Sequence, residues 1–327
     1  MLYRPLGQSG VEASAVAVGT WAIGGWMWGG TEEKESIDAI HAAIDAGINF
    51  IDTAPAYGLG LSEEIVGKAI ADRRDRVVIA TKCGLVWHTQ QGEHYFNEKG
   101  EDVYKYLGPE SIRHEVERSL ARLGVETIDL YQTHWQDPTT PIADTMGELT
   151  KLKDEGKIRA IGVSNATPEH MDAYRAVGPV DSDQEKYSML DREHENENLP
   201  YVREHNIAFL AYSPLALGLL TGKYKPGETS FSGDDQRAGN PRFSDENLEN
   251  IRKMLEGMEP IAASRNLTIP QLVIAWTINR PGVSHALVGA RNQKQAKENA
   301  EAGGVELTPR EITDINDAIG AFEPMTS

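Results

Sequence analysis

Basic charge and cysteine are what this sequence has least of. Its 32 Lys+Arg stand against 50 Asp+Glu, a formal net charge of −18 over 327 residues. Non-specific attraction to polyphosphate or anionic lipid is therefore unfavourable, and neither nucleic acid nor a membrane surface is expected as a partner. One cysteine, Cys83, excludes an internal disulfide framework and a cysteine-based metal site, and it fits a reducing compartment. Long hydrophobic runs are missing too. The longest apolar stretch, 206–222, is broken by Tyr212, Ser213, Pro214 and Gly218, too short and interrupted to span a bilayer. The opening residues carry no apolar run of signal-peptide length, so a cytoplasmic protein is expected. The nine histidines show no His-Glu-x-x-His and no ligand spacing, so no metal is expected. No Gly-x-Gly-x-x-Gly follows a first strand, which counts against a dinucleotide-binding Rossmann sheet.

What is present is alternation. Short apolar runs at 15–19, 48–52, 77–81, 127–132, 158–163, 180–185, 207–212 and 283–288 read as eight strands, with helical patterns between them. Helix punctuation supports this: Thr31 ahead of two glutamates, Gly108-Pro109, Thr167-Pro168, and the capping box Thr308-Pro309-Arg310-Glu311. Eight strands alternating with helices, with no linker-like composition between halves, predict an α/β fold: a (β/α)8 TIM barrel forming one domain over residues 1–327. Three additions are expected. Residues 2–14 form an N-terminal β-hairpin, two helices rather than one separate the last two strands, and an extra C-terminal helix follows. A Gly/Ser/Asp/Lys-rich loop at 218–242 is long enough to be functional.

The second strand ends in an ionisable residue, Asp52, and Pro55 stops the strand pattern just beyond. Tyr57 follows five residues later, so the two side chains meet only if the segment folds back as a loop. Taken alone, Asp52 fits equally well as a loop cap and Tyr57 as a packing residue. A barrel changes the reading, because C-terminal strand ends face one another. Lys82 follows the third strand and His134 follows the fourth. Lys82 in a dry barrel mouth needs Asp52 as counter-charge, and its own charge is expected to lower the Tyr57 pKa and make the phenol a usable acid near neutrality. His134 is placed to donate a hydrogen bond that orients a carbonyl.

The motifs Asp52-Thr53-Ala54-x-x-Tyr57-Gly58, Ala80-Thr81-Lys82, Asp129-Leu130-Tyr131-x-x-His134-Trp135, Gly156 to Asn165, and Ala211-Tyr212-Ser213-Pro214-Leu215 resemble the aldo-keto reductases from end to end. The resemblance implies that Asp52, Tyr57, Lys82 and His134 form a catalytic tetrad, that hydride passes from reduced nicotinamide to a small-molecule carbonyl, and that no metal is required. It implies that Ser164, Asn165 and Gln184 bind the carboxamide and that Tyr212 stacks on the nicotinamide. Ser213 is expected among the cofactor contacts, and Leu215, Gly218, Leu219 and Lys223 are expected to cover the pyrophosphate. Gly289-Ala290-Arg291 stands where many members carry a Lys-Ser pair. Arg291 before a helix N-terminus suits the adenosine 2′-phosphate of NADP(H), with Gln295, Glu298 and Asn299 at the adenine end.

Five of the six tryptophans, Trp21, Trp26, Trp28, Trp87 and Trp135, fall just after strands, and an aromatic-walled substrate pocket is expected from them. Such walls suit aromatic aldehydes and also the C–H faces of sugars. Gly24, Gly25, Gly29 and Gly30 make the first loop an expected mobile segment. Cys83 carries no mark of a nucleophile. Two other functions share these residues: a Schiff-base aldolase using Lys82, and a nicotinamide-binding regulatory subunit of the kind found among potassium-channel β subunits.

Overall fold

The computed structural model describes residues 1–231 and 233–321. Residue 232 of the expected long loop, and the last six residues of the expected domain, lie outside them. Eight parallel strands close a barrel: β1 (Val16–Gly19), β2 (Phe50–Asp52), β3 (Val78–Cys83), β4 (Ile128–Thr133), β5 (Ile158–Ser164), β6 (Ser182–Lys186), β7 (Ala208–Tyr212) and β8 (Val283–Gly289). Each pairs with its sequence neighbour, and β8 closes on β1 through Val288 opposite Val18 and Gly289 opposite Gly19. The expected (β/α)8 fold is therefore observed.

Alternation along the strands divides the core into two layers. Ala17, Phe50, Ala80, Leu130, Ala160 and Leu210 fill the barrel interior, and Leu6, Val11 and Ala13 of the N-terminal hairpin plug its lower end. That hairpin pairs Tyr3–Pro5 with Glu12–Ser14. The outward-facing side chains pack beneath helices α1 (Glu33–Asp45), α2 (Leu61–Ile70), α3 (Pro109–Leu123), α4 (Ile142–Asp154), α5 (Pro168–Arg175), α6 (Asn198–His205), α7 (Asp245–Ser264), α8 (Ile269–Ile278) and α9 (Gln293–Ala302). The two helices expected between the last strands are α7 and α8, and the extra C-terminal helix is α10 (Pro309–Gly320).

Two local expectations change. Thr31 does not cap α1: its hydroxyl lies 3.1 Å from Ser36 Oγ, and Glu32 occupies the cap position. After β3 comes a small antiparallel sheet absent from the sequence reading, with strands Leu85–Val86, Glu93–Glu98 and Glu101–Lys105. Lys99-Gly100 turns the hairpin with φ of 52° and 91°, the two-residue geometry that right-twisted strands favour. This sheet stands at the C-terminal mouth of the barrel and builds one side of the site.

Candidate active site

Each strand end delivers one group to the mouth. The period of two along β3 sends Thr81 and Cys83 outward and Lys82 into the barrel, where it is completely buried. Glu63 of α2 accepts from Thr81 Oγ1 at 2.6 Å and pairs with Arg122, fixing that strand from outside. Lys82 Nζ donates to Asp52 Oδ1 at 2.7 Å, to the Thr53 carbonyl at 3.0 Å and to Tyr57 OH at 3.3 Å. The carboxylate's other oxygen accepts from Gln184 Nε2 at 2.9 Å and Gln132 Nε2 at 3.4 Å.

The fold-back between Asp52 and Tyr57 is held by Tyr57 N donating to Ala54 O and by Ser62 Oγ, which contacts Thr53 Oγ1 and donates to Thr20 Oγ1. Gly24 permits the first loop to lie against this turn: a Cβ there would stand 2.6 Å from the Tyr57 carbonyl carbon. His134 completes the cluster, its ring edge-on to Tyr57 at 5.7 Å.

The electrostatics correct one expectation. Burial raises the Tyr57 pKa, and the opposing pull of Lys82 does not overcome it, so the net shift is upward rather than down. The phenol is therefore fully protonated at neutral pH. Burial lowers the Lys82 pKa, but Asp52 and Tyr57 together outweigh it and the amine is held as ammonium. An ammonium is not a nucleophile, which argues against Schiff-base chemistry at Lys82. Burial, aided by Lys82, pushes His134 well down, so its ring is neutral and offers one N–H. Cys83 is buried and its thiol is pushed well up by burial, leaving it inert.

A cavity of about 970 Å³ runs from this cluster to the N-terminus of α9. Ser164, Asn165, Gln184, Tyr212, Ser213 and Leu215 line its inner half, and Gly218, Lys223, Gly289, Arg291, Gln295, Glu298 and Asn299 its outer half. Leu219 does not reach it. A kink at Leu217 and Gly218, φ 57° and 93°, turns those two residues to the cavity and leaves Leu219 in the core. Asn292, at the helix start expected to meet an anion, also lines it, as do Arg237 and Lys294, which the sequence reading missed. In a chain of net charge −18, Lys223, Arg237, Arg291 and Lys294 concentrate positive charge at one end of one cavity. An amide-lined inner end and a cationic outer end fit a nicotinamide dinucleotide.

Of the expected pocket aromatics, Trp21, Trp26, Trp28 and Trp135 line the cavity. Trp87 does not; the turn into the antiparallel sheet carries it into a small cluster with Leu85 and Val103. Tyr95 and Phe96 of the hairpin take its place, Phe96 stacking on Trp26 at 4.9 Å and Tyr95 tilting against Trp135 at 5.5 Å. Trp21 stacks on Tyr57 at 6.3 Å and meets Trp28 edge-on. Several hydrogen bonds hold the first loop in this structure. Asp234 accepts from the amides of Met27 and Gly29, Gln236 N donates to Met27 O, and Arg291 donates to the carbonyls of Trp28 and Gly30 at 3.1 and 2.8 Å.

Known proteins carry the same pattern: a family model described as the aldo/keto reductase family matches residues 15–319. The chain belongs to the aldo-keto reductases. The resemblance read from the motifs is thus borne out. This aldo-keto reductase is 43% identical over 319 residues to aldo-keto reductase YhdN of Bacillus subtilis (strain 168), covering 97% of this chain and 93% of the relative. It is also 43% identical over 330 residues to an NADH-specific methylglyoxal reductase of Escherichia coli (strain K12), covering 98% of both. Among solved structures, the glycerol dehydrogenase AKR11B4 from Gluconobacter oxydans superposes with a TM-score of 0.88 at 42% identity, over 98% of this chain and 96% of that one. Carbonyl reduction with a nicotinamide cofactor is the general chemistry these relationships support. Among the described residues no helix is long and apolar enough to cross a membrane, and no cluster of acidic, histidine and cysteine side chains is arranged to hold a metal.

Proposed function

We propose that this aldo-keto reductase uses NADPH to reduce an aldehyde or ketone to the alcohol, with Tyr57 as the proton donor. The observation that carries the reading is Lys82 Nζ, which joins Asp52 Oδ1 and Tyr57 OH at 2.7 and 3.3 Å beneath a cavity mouth that His134 also lines. Ser164, Asn165 and Gln184 would hold the carboxamide, and Tyr212 would offer its ring face to the nicotinamide. Ser213, Leu215, Gly218 and Lys223 would line the pyrophosphate, while Arg291, Gln295, Glu298 and Asn299 would hold the adenosine end. When bound, the reduced nicotinamide supplies a hydride to the carbonyl carbon.

The chain's own groups do the rest. His134, neutral and half-buried at the cavity mouth, donates one N–H to the carbonyl oxygen and fixes its direction. Tyr57 donates its phenolic proton to that oxygen as negative charge develops there. A buried phenol is a reluctant acid, but an alkoxide is a far stronger base than a phenolate, so the transfer runs downhill. The ammonium of Lys82 then stabilises the phenolate left behind, and Asp52 keeps that ammonium charged. The upward shift at Tyr57 thus preserves the donor at working pH rather than disabling it.

A second reading, NADH as the cofactor, has one structural argument: the Arg291 guanidinium already donates to two backbone carbonyls. The NADH-specific relative points the same way. Steady-state oxidation of NADPH and of NADH across sugar aldehydes, aromatic aldehydes and dicarbonyls tests both. NADPH turnover with at least one class is expected. Turnover with NADH alone would replace the cofactor assignment, and tight dinucleotide binding with no turnover on any carbonyl would overturn the enzyme reading in favour of a regulatory subunit.

A further inference from the structure

The inward side chains of β6, Ser182 and Gln184, face the barrel interior, so Asp183 and Glu185 face outward beneath α6. Both carboxyls are buried, at 0% and 3% exposure, and they lie within hydrogen-bonding reach of each other. Among the described residues no lysine or arginine pairs with them as Lys82 does with Asp52, and the basic group in reach is His194. Asp183 Oδ1 has no other partner. Burial and the neighbouring Asp183 push the Glu185 carboxyl up, so the pair retains one proton at neutral pH.

The other contacts of the pair converge on one residue, Ala166. Glu185 Oε1 accepts from Ala166 N at 2.7 Å. Asn198, the first residue of α6, donates through Nδ2 both to Ala166 O at 2.8 Å and to Asp183 Oδ2 at 2.9 Å. His194 closes the group, with Nδ1 3.0 Å from Asn198 Oδ1 and Nε2 3.5 Å from Glu185 Oε2. The amide and the carbonyl of Ala166 are therefore both pinned from outside the barrel.

The residue just before it is Asn165, whose backbone is left-handed at φ 53°, a conformation that needs its neighbours to hold it. Its side chain lines the cavity, accepting from Tyr212 OH at 3.0 Å and donating to His134 O at 2.8 Å. The Asn165 carboxamide thus ties together the stacking tyrosine and the histidine of the site. We propose that Glu185, by accepting from the Ala166 amide, is a positioning residue that holds Asn165 in its ligand-binding conformation from the far side of β6. The proposal rests on the reading of Asn165 as a partner of the nicotinamide carboxamide.

NADPH affinity, measured by quenching of tryptophan fluorescence, tests it without reference to turnover. Asn165→Ala and Glu185→Leu should each weaken NADPH binding by roughly 10-fold, the loss of one or two neutral hydrogen bonds. The double variant should be no weaker than the worse single one to within roughly two-fold, because both remove the same contact. Glu185→Gln, which keeps an acceptor for Ala166 N and a donor for Asp183, should bind within roughly two-fold of the unaltered protein. Should Glu185→Leu not fold, Asn198→Ser, which releases the Ala166 carbonyl, takes its place with the same expectation. Unchanged affinity in Glu185→Leu beside a weakened Asn165→Ala would overturn the positioning role alone, as would additive losses in the double variant. Unchanged affinity in Asn165→Ala would overturn the carboxamide reading on which the proposal stands.

Discussion

Replacing Lys82 with methionine, nearly the same shape without the charge, leaves Asp52 buried with only two amide donors, Gln184 at 2.9 Å and Gln132 at 3.4 Å. Both members of the ion pair are almost fully buried, 1% and 4% exposed by side chain. Breaking such a pair from one side strands a charge and costs about 3–5 kcal/mol, well above the worth of a surface pair. Asp52→Asn should cost a comparable amount, since it strands the ammonium against the Thr53 carbonyl and Tyr57 OH. Removing both charges removes the stranded one as well. The double variant should therefore be more stable than the sum of the singles predicts by about 2 kcal/mol or more, and all three should lose carbonyl reduction. Urea denaturation of the ligand-free proteins, with activity measured in parallel, gives the cycle. Additive losses, or a cost below about 1 kcal/mol for Lys82→Met, would refute the claim that this pair is desolvated and interdependent.

Three further outcomes follow from single residues. Arg291→Ala should raise the NADPH KM by roughly 10- to 100-fold, the worth of charged hydrogen bonds to a phosphate, with little effect on NADH; equal effects on both would assign Arg291 to the first loop alone. Burial holds His285 down to about 4, against an ordinary 6.5. The unfolded chain therefore takes up that proton first, and stability present above pH 6.5 should fall by about 3 kcal/mol as the pH drops to 4. His285→Asn should flatten that part of the denaturation profile, and an unchanged slope would contradict the shift. Phe96→Ala, which removes the stack on Trp26 at 4.9 Å, should raise KM for aromatic aldehydes more than for small aliphatic ones; a uniform change would show that the hairpin does not bound the substrate.

How far the sequence could be read depended on which forces were local. The eight strands were legible because apolar runs and turn residues are local signals, though β2 begins at Phe50 rather than at 48. Asn49, just before it, spends its side chain on Ser14 N of the N-terminal hairpin, a contact between distant segments. The Glu93–Lys105 hairpin was not legible. Its first strand sets its two aromatic residues, Tyr95 and Phe96, side by side and so on opposite faces, so no alternation announced it, and only the Lys99-Gly100 turn carried a signal. Trp87 was misplaced for the same reason, since its position after β3 implied the barrel mouth while the unseen sheet turned it away. The direction of the Tyr57 shift was misjudged because spacing reveals the lysine beside a phenol but not the desolvation that outweighs it. Asp183 and Glu185 fall within the 180–185 run, where nothing local marks them as buried. Only the closed barrel shows that they face α6 and grip Ala166.

Tyr57→Phe is the most direct test of the account. The substitution removes the hydroxyl that Lys82 reaches at 3.3 Å while leaving a ring to stack on Trp21. Single-turnover hydride transfer from pre-bound NADPH to an aldehyde should fall by roughly 100-fold or more, the usual contribution of a positioned general acid, with NADPH affinity within roughly two-fold of the unaltered protein. Hydride transfer at the original rate would contradict the assignment of Tyr57 as proton donor.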